Sequence, residues 1–226
     1  MTSTVPTLRH ERALLREGAR LVIGMDEVGR GAIAGPVAVG LGIVDLATGT
    51  APVGLKDSKL LPEPKREELQ PKVARWVRHG AVGMASNERI ERIGIIAALG
   101  LAARRAIDAV RDQGVDLTGA VVLLDGSHDW LSPAIDRALP VVMRVKADRT
   151  CAAVAAASVL AKVHRDRLMI ANDAVHPGYL WTSNKGYASA EHYAGIERVG
   201  ASPLHRWSWL KQPGLFSLSE PVDEIA

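Results

Sequence analysis

Residues Met25 to Pro36, MDEVGRGAIAGP, follow the apolar run Leu21 to Gly24, LVIG, and set two adjacent carboxylates, Asp26 and Glu27, at the close of a buried strand. Neighbouring side chains on a strand point to opposite faces, so one of the two is directed coreward unless the strand ends there. An unpaired buried carboxylate costs several kcal/mol, which demands a charge partner or a metal ion beside it. The turn after them carries Gly29, Gly31 and Gly35, yet it does not fit a dinucleotide loop. Its third glycine comes one residue too late, and a proline and a β-branched strand follow where a phosphate-binding helix would have to begin. What remains for Gly29 and Gly31 is backbone access, since without Cβ atoms the chain can offer its peptide groups to a closely approaching ligand.

Outward from this stretch the pattern alternates. A helix is expected over Pro6 to Leu21, ahead of the LVIGM strand, and PVAVGLGIVDL from Pro36 forms a second strand. Residues 62–79, acidic at the start and basic at the end, suit a helix aligned with its dipole, although Pro71 disturbs its first turns. GAVGMAS from Gly80 is a third short strand, and a helix from Asn87 to Gln113 stops at Gly114. GAVVLLDG ends a strand at Asp125, LPVVMRVKAD ends another near Asp148, and an alanine-rich helix runs from Thr150 to Asp173. Three successive strands followed by strands separated by helices imply an α/β class with a mixed sheet flanked by helices.

Composition sets the outer bounds. The 226 residues are 47% hydrophobic, enough for a sizeable core, and no apolar run reaches the length of a membrane span. The N-terminus lacks a signal-peptide core, so a cytoplasmic location is expected. Cys151 is the single cysteine, which excludes an internal disulfide and a cysteine-built zinc site. A net charge of +3 mildly favours a polyanionic partner.

Function in open sheets gathers at strand ends, and here those ends carry Asp26, Glu27, Asp125 and Asp148. Packed together, four carboxylates repel and raise one another's pKa, so such a cluster persists where divalent cations neutralise it. All-oxygen ligation suits Mg²⁺ or Mn²⁺ rather than zinc. Two such ions about 3.5–4 Å apart clamp the attacking and leaving oxygens of a phosphodiester during hydrolysis. Blander roles stand beside this one: Asp148 suits a helix N-cap, and Asp125 before Gly126 suits a turn.

The chain resembles the ribonuclease HII family. MDEVGRGAIAGPV, LKDSKLL, LLDG, VKAD, AAASVLAKVHRDRLM, NKGY and GASPLHRWSW occur in that family's order and span most of residues 21–209. The resemblance implies a ribonuclease H-like fold with a five-stranded mixed sheet and a C-terminal helical extension. It implies a catalytic domain over 18–212, preceded by a helical lead-in at 1–17 and followed by an acidic tail at 213–226. The implied activity is hydrolysis of the phosphodiester 5′ of a ribonucleotide, in RNA/DNA hybrids and at single ribonucleotides embedded in duplex DNA. Two divalent ions, Mn²⁺ or Mg²⁺, held by Asp26, Glu27, Asp125 and Asp148, would leave 5′-phosphate and 3′-hydroxyl ends.

The family's glycine-arginine-glycine segment matches Gly29, Arg30 and Gly31, whose backbone would read the ribose 2′-hydroxyl. Tyr187 matches the tyrosine packed against the sugar of the next nucleotide, where a deoxyribose fits better. Ser58 and Lys59 would lie near the phosphate backbone, joined by Arg144, Lys146, Arg149, Lys162, Lys185 and Arg206; of the basic residues, Lys59 and Lys185 are the ones selected. Asp166 lies four residues after Lys162 on one helix and reads as its structural partner. Cys151 reads as core, and His164 and His205 as holding C-terminal elements or touching substrate. Leu60, Trp207 and Trp209 depart from the family's more familiar residues. A monomer is expected, with no membrane partner. Two rival readings are a non-catalytic nucleic-acid-binding module whose acids are caps and turns, and a metal-dependent hydrolase of small phosphate esters, which the missing phosphate loop disfavours.

Overall fold

The strand that decides the fold is β1, Leu21–Val28, and it runs past the apolar stretch to include Asp26 and Glu27 within its ladder. In this computed structural model, which describes residues 5–136 and 139–210, β1 pairs antiparallel with β2, Val37–Val44, and β2 pairs antiparallel with β3, His79–Ala85. On its other side β1 runs parallel to β4, Ala120–Asp125, and β4 runs parallel to β5, Val141–Arg144. The five-stranded order is β3-β2-β1-β4-β5, so β1 is central and is buried on both faces.

Alternation along the strands sorts the core into two layers. Ile23, Met25, Val39 and Leu41 point to one face and pack on the alanines and Leu99 of α3, Asn87–Arg111. Ser86 caps that helix by accepting the N–H of Arg89, and Gly94, at φ +76°, breaks it near its start. Val22, Val44 and Leu123 point to the other face, against α5, Ala152–Val175, with α1, Arg9–Arg16, and α2, Glu63–Trp76, around it. Close packing there depends on small residues from both partners: a Cβ on Gly24 would stand 2.3 Å from Ala153 C, and one on Gly40 2.2 Å from Ala157 O. The alanine run of α5 is the complement of those two glycines.

Several boundaries differ from the sequence reading. The N-terminal helix covers Arg9–Arg16 rather than Pro6 to Leu21, because Gly18, at φ +111°, ends it. Residues Leu8 and Leu15 belong to the α5-side core, and buried Glu11 accepts the Ala153 N–H at 2.8 Å, capping α5 from another helix. The lead-in therefore shares the core of the domain it precedes. α2 accommodates Pro71 without interruption. β5 stops at Arg144, and Lys146, at φ +60°, turns the chain into a single helical turn, α4, Ala147–Thr150. Asp148 thus sits on that turn and not at a strand end. Beyond α5 come α6, Trp181–Asn184, α7, Ala190–Val199, and α8, Trp207–Leu210, around a small separate core of Ile33, Met169, Tyr179, Trp181, Ile196 and Leu210. This is the expected C-terminal helical extension; the expected acidic tail, 213–226, lies outside the described residues. No described helix is long and apolar enough to cross a membrane.

Candidate active site

Sheet register brings the acids together. Met25 of β1 stands beside Leu124 of β4, so Asp26 and Asp125 occupy the next step of two adjacent parallel strands, on the α5 face. Asp125 Oδ1 accepts the N–H of Ala147 at 2.6 Å, which ties the end of β4 to the turn that carries Asp148. Glu27, one residue on near the end of the strand, is half-buried, with the Arg30 guanidinium 3.6 Å from its carboxylate, and its charge reaches Asp26 and Lys59.

Electrostatics mark this cluster as short of positive charge. Burial raises the pKa of Asp26 well above the usual carboxylate range, opposed by the charge of Lys59 and reinforced by Glu27. Burial, with the charges of Asp125 and Asp57, pushes Asp148 up to about 6. Asp26 Oδ2, Asp148 Oδ1 and Asp57 Oδ2 are buried with no hydrogen-bond partner. Lys59 answers them all: its pKa is raised by Asp26, Asp57, Asp148 and Glu27 against the opposing effect of burial. Unpartnered buried oxygens of hard carboxylates are the donor set that fits a divalent cation such as Mg²⁺ or Mn²⁺. As the side chains stand, no three of these groups among the described residues already enclose an ion.

Asp57 was not singled out by sequence reasoning. It is buried and starts the short helical turn Ser58–Leu60, its Oδ1 accepting the Lys59 N–H at 2.9 Å, with Arg149 Nε 3.8 Å from Oδ2. The available signal was its place before Ser58 and Lys59 in LKDSKLL, as the cap of that turn. Of the residues expected along the phosphate backbone, Lys59 is at the acids. Ser58 is fully buried, with its hydroxyl 2.8 Å from that of Ser158 on α5, and serves as a joint between turn and helix. Lys185 is also buried; its ammonium is held 2.9 Å from Glu63 and donates to the Thr182 carbonyl. Lys162 pairs with Asp166 at 2.7 Å, as their spacing predicts, and Arg66 meets the same carboxylate at 3.1 Å. Arg206 is entirely buried and donates only to backbone carbonyls, so it is no phosphate contact.

Tyr187 stands next to the glycine turn: the Gly29 N–H donates to its hydroxyl at 3.1 Å, and the ring lies between Lys162, 5.7 Å from its centroid, and Arg165, at 5.4 Å. Gly29 has φ +84°, and a Cβ there would fall 2.1 Å from Arg165 Nε, so the position excludes any other residue. Arg30 and Gly31 are exposed beside it. Cys151 is buried in the core, its thiol pushed up to about 11 by burial, far from a nucleophile's range. His205 belongs to a buried network: Trp181 Nε1 donates to His192 Nε2, which is 3.0 Å from His205 Nε2, while the Ser202 N–H donates to His205 Nδ1. Burial holds that imidazole down at about 4, so it is neutral and structural.

Comparison with known proteins identifies the family and the fold. The family model described as Ribonuclease HII matches residues 23–212. Ribonuclease HII of Streptomyces coelicolor is 45% identical over 206 residues, covering 90% of this chain and 83% of that protein. Ribonuclease HII of Caulobacter vibrioides is 41% identical, covering 85% of each. Ribonuclease H2 from Pyrococcus horikoshii superposes with a TM-score of 0.60 at 22% identity, over 84% of this chain and 93% of that one. Bst-RNase HIII, solved in complex with Mn²⁺, gives 0.63 at 24% identity, over 83% and 65%. The two superpositions speak for the fold.

Proposed function

The chain belongs to the ribonuclease HII family and is a ribonuclease H endonuclease, and we propose that it cuts on the 5′ side of ribonucleotides, in RNA/DNA hybrids and at single ribonucleotides in duplex DNA. The observation that carries the assignment of the site is the convergence of Asp26 and Asp125 on adjacent strands with Asp148 on the turn that Asp125 caps, all short of positive charge. The catalytic unit is residues 18–212 together with α1, whose Leu15, with Leu8 just before the helix, packs into its core.

In this reading Asp26, Glu27, Asp125 and Asp148 hold two divalent cations, Mn²⁺ or Mg²⁺, which when bound supply the positive charge that activates water and stabilises the departing oxygen. Burial raises the proton affinity of Asp26 and Asp148 while they are uncompensated, so protons and cations compete for the same oxygens. Lys59 is exposed and feels the charge of the same carboxylates, and it is the residue able to meet the phosphate beside the scissile bond, its ammonium a compact point charge. Arg30 and Gly31 present exposed backbone at the rim, where a ribose 2′-hydroxyl would be recognised, and the Tyr187 ring forms the neighbouring wall for the next sugar. Because Ser58 and Lys185 are committed inside the protein, the grip on the duplex falls to Lys59 and the exposed arginines around the cleft.

The test is incubation of a DNA duplex bearing one ribonucleotide, with Mn²⁺ and with EDTA, alongside the Asp125→Asn variant. Incision 5′ of the ribonucleotide, dependent on metal and absent in the variant, is expected. Hybrid binding without any incision would replace this reading with that of a non-catalytic binding module.

A further inference from the structure

Arg165 and Arg206 are both fully buried, and neither guanidinium lies within ion-pair distance of a carboxylate among the described residues. Burying an uncompensated charge is expensive, and hydrogen bonds to its donors offset the cost. Here backbone carbonyls accept most of those donors, three bonds from Arg165 and four from Arg206. Arg165 donates to Pro36 O at 2.8 Å, Lys185 O at 2.8 Å and Ala34 O at 3.0 Å. Arg206 donates to Gly29 O at 2.7 Å, Arg30 O at 3.0 Å and Gly35 O at 3.1 and 3.2 Å. The cost of the arrangement registers in Arg206, whose pKa burial lowers to about 9.

The consequence lies in peptide geometry. Across a planar trans peptide the C=O of one residue and the N–H of the next point in opposite directions. Drawing the carbonyls of Gly29 and Arg30 inward therefore turns the N–H groups of Arg30 and Gly31 outward. Both residues are exposed, and neither N–H donates to a protein acceptor among the described residues. Arg206 is itself held: its N–H donates to Ile33 O at 2.8 Å, Ala34 pairs with His205 in an antiparallel bridge, and its guanidinium stacks 4.8 Å from the ring centroid of Trp209.

We propose that Arg206 is the positioning residue for ribose discrimination, holding the Gly29–Gly31 backbone so that two peptide N–H groups face the 2′-hydroxyl. The proposal rests on the reading of that turn as the ribose sensor. Arg206 touches no substrate; it acts through the loop. A lysine keeps the charge but offers one ammonium where three carbonyl oxygens are bridged by a planar fork, so Arg206→Lys frees at least one of the two peptides to rotate.

The experiment measures KM for a duplex with one ribonucleotide and Ki for the identical all-deoxy duplex as competitor. In Arg206→Lys, KM is expected to rise about tenfold toward Ki while Ki stays unchanged, the loss of about one hydrogen bond's discrimination. A merely structural defect would lower the active fraction, and with it apparent kcat, leaving the ratio of KM to Ki alone. If Arg206→Lys does not melt cooperatively, Trp209→Leu decides: loss of the stacked ring should shift the ratio about threefold in the same direction. A wild-type ratio in the folded variant overturns the proposal. If instead the wild-type protein fails to distinguish the two duplexes and cuts neither, the functional reading falls, and the loop's role with it.

Discussion

Removing one active-site acid should stabilise the metal-free protein while abolishing its activity. Asp148 offers the sharpest case, because its carboxyl rises from an ordinary 3.8 to about 6 through burial and through the charges of Asp125 and Asp57. About two pKa units correspond to about 3 kcal/mol. Solvent at the mouth of the cleft screens about half of that, leaving about 1–2 kcal/mol. The sign follows from the direction of the shift: a group whose pKa is raised by folding favours the fold when protonated. That contribution is complete below pH 3.8 and is lost as pH climbs through about 6. At pH 7.5 without metal, ionised Asp148 therefore weakens the fold, and Asp148→Asn relieves it. In a chain of this size 1 kcal/mol shifts Tm by about 2–4 °C, so the variant should melt about 3–6 °C above wild type in EDTA at pH 7.5. At pH 4 the two should nearly coincide. Mn²⁺ should raise the wild-type Tm and move the variant little, since the variant lacks a ligand. Melting followed by circular dichroism, with and without Mn²⁺, reads all of these. A variant that melts at or below wild type in EDTA at pH 7.5 would mean that Asp148 serves the fold, and the argument from charge strain would fail.

Two further substitutions separate the recognition turn from the fold. Gly29→Ala places a Cβ 2.1 Å from Arg165 Nε at φ +84°, so urea denaturation should show a loss of more than about 2 kcal/mol together with lost cutting; wild-type stability would show that the turn can relax. Tyr187→Phe removes the acceptor of the Gly29 N–H but leaves the ring between Lys162 and Arg165, so kcat/KM on a single-ribonucleotide duplex should fall about tenfold with Tm nearly unchanged. Unaltered kcat/KM would make that hydroxyl idle.

Strands and acids were legible for one reason: the signal is local. Alternation in Leu21–Val28 and Val37–Val44 marks two buried faces, and charges that interrupt or end such runs stand out. Even so, Asp148 was read onto a strand end, because nothing in VKAD announces that Lys146 adopts a left-handed conformation and starts a helical turn. Long side chains fared worse. Lys185 and Arg206 look like phosphate ligands in sequence, and only the path of the chain shows their donors spent on Glu63 and on the carbonyls of Gly29, Arg30 and Gly35. Asp57 was invisible for the complementary reason. An acid at the start of a short turn has an ordinary explanation as a cap, and it does cap, but it also bears on Asp148 in the carboxylate cluster, a relation set wholly by tertiary contact.

Asp57 alters the charge balance of the site. Asp26, Glu27, Asp57, Asp125 and Asp148 are five carboxylates, and the cations answering them are Lys59, Arg30 against Glu27, and Arg149 against Asp57. Two negative charges are left uncompensated, and burial together with that excess raises the proton affinity of Asp26 and Asp148 when no metal is bound. One divalent cation would neutralise the same two charges without any proton. A second has no further protein charge to meet and must be balanced by the phosphodiester, so full occupancy of the site is tied to the presence of substrate. Lys59 has the matching position: it is exposed at the rim of the cluster and within reach of the charge of its acids, with no carboxylate in ion-pair contact among the described residues, so its ammonium is available to the phosphate.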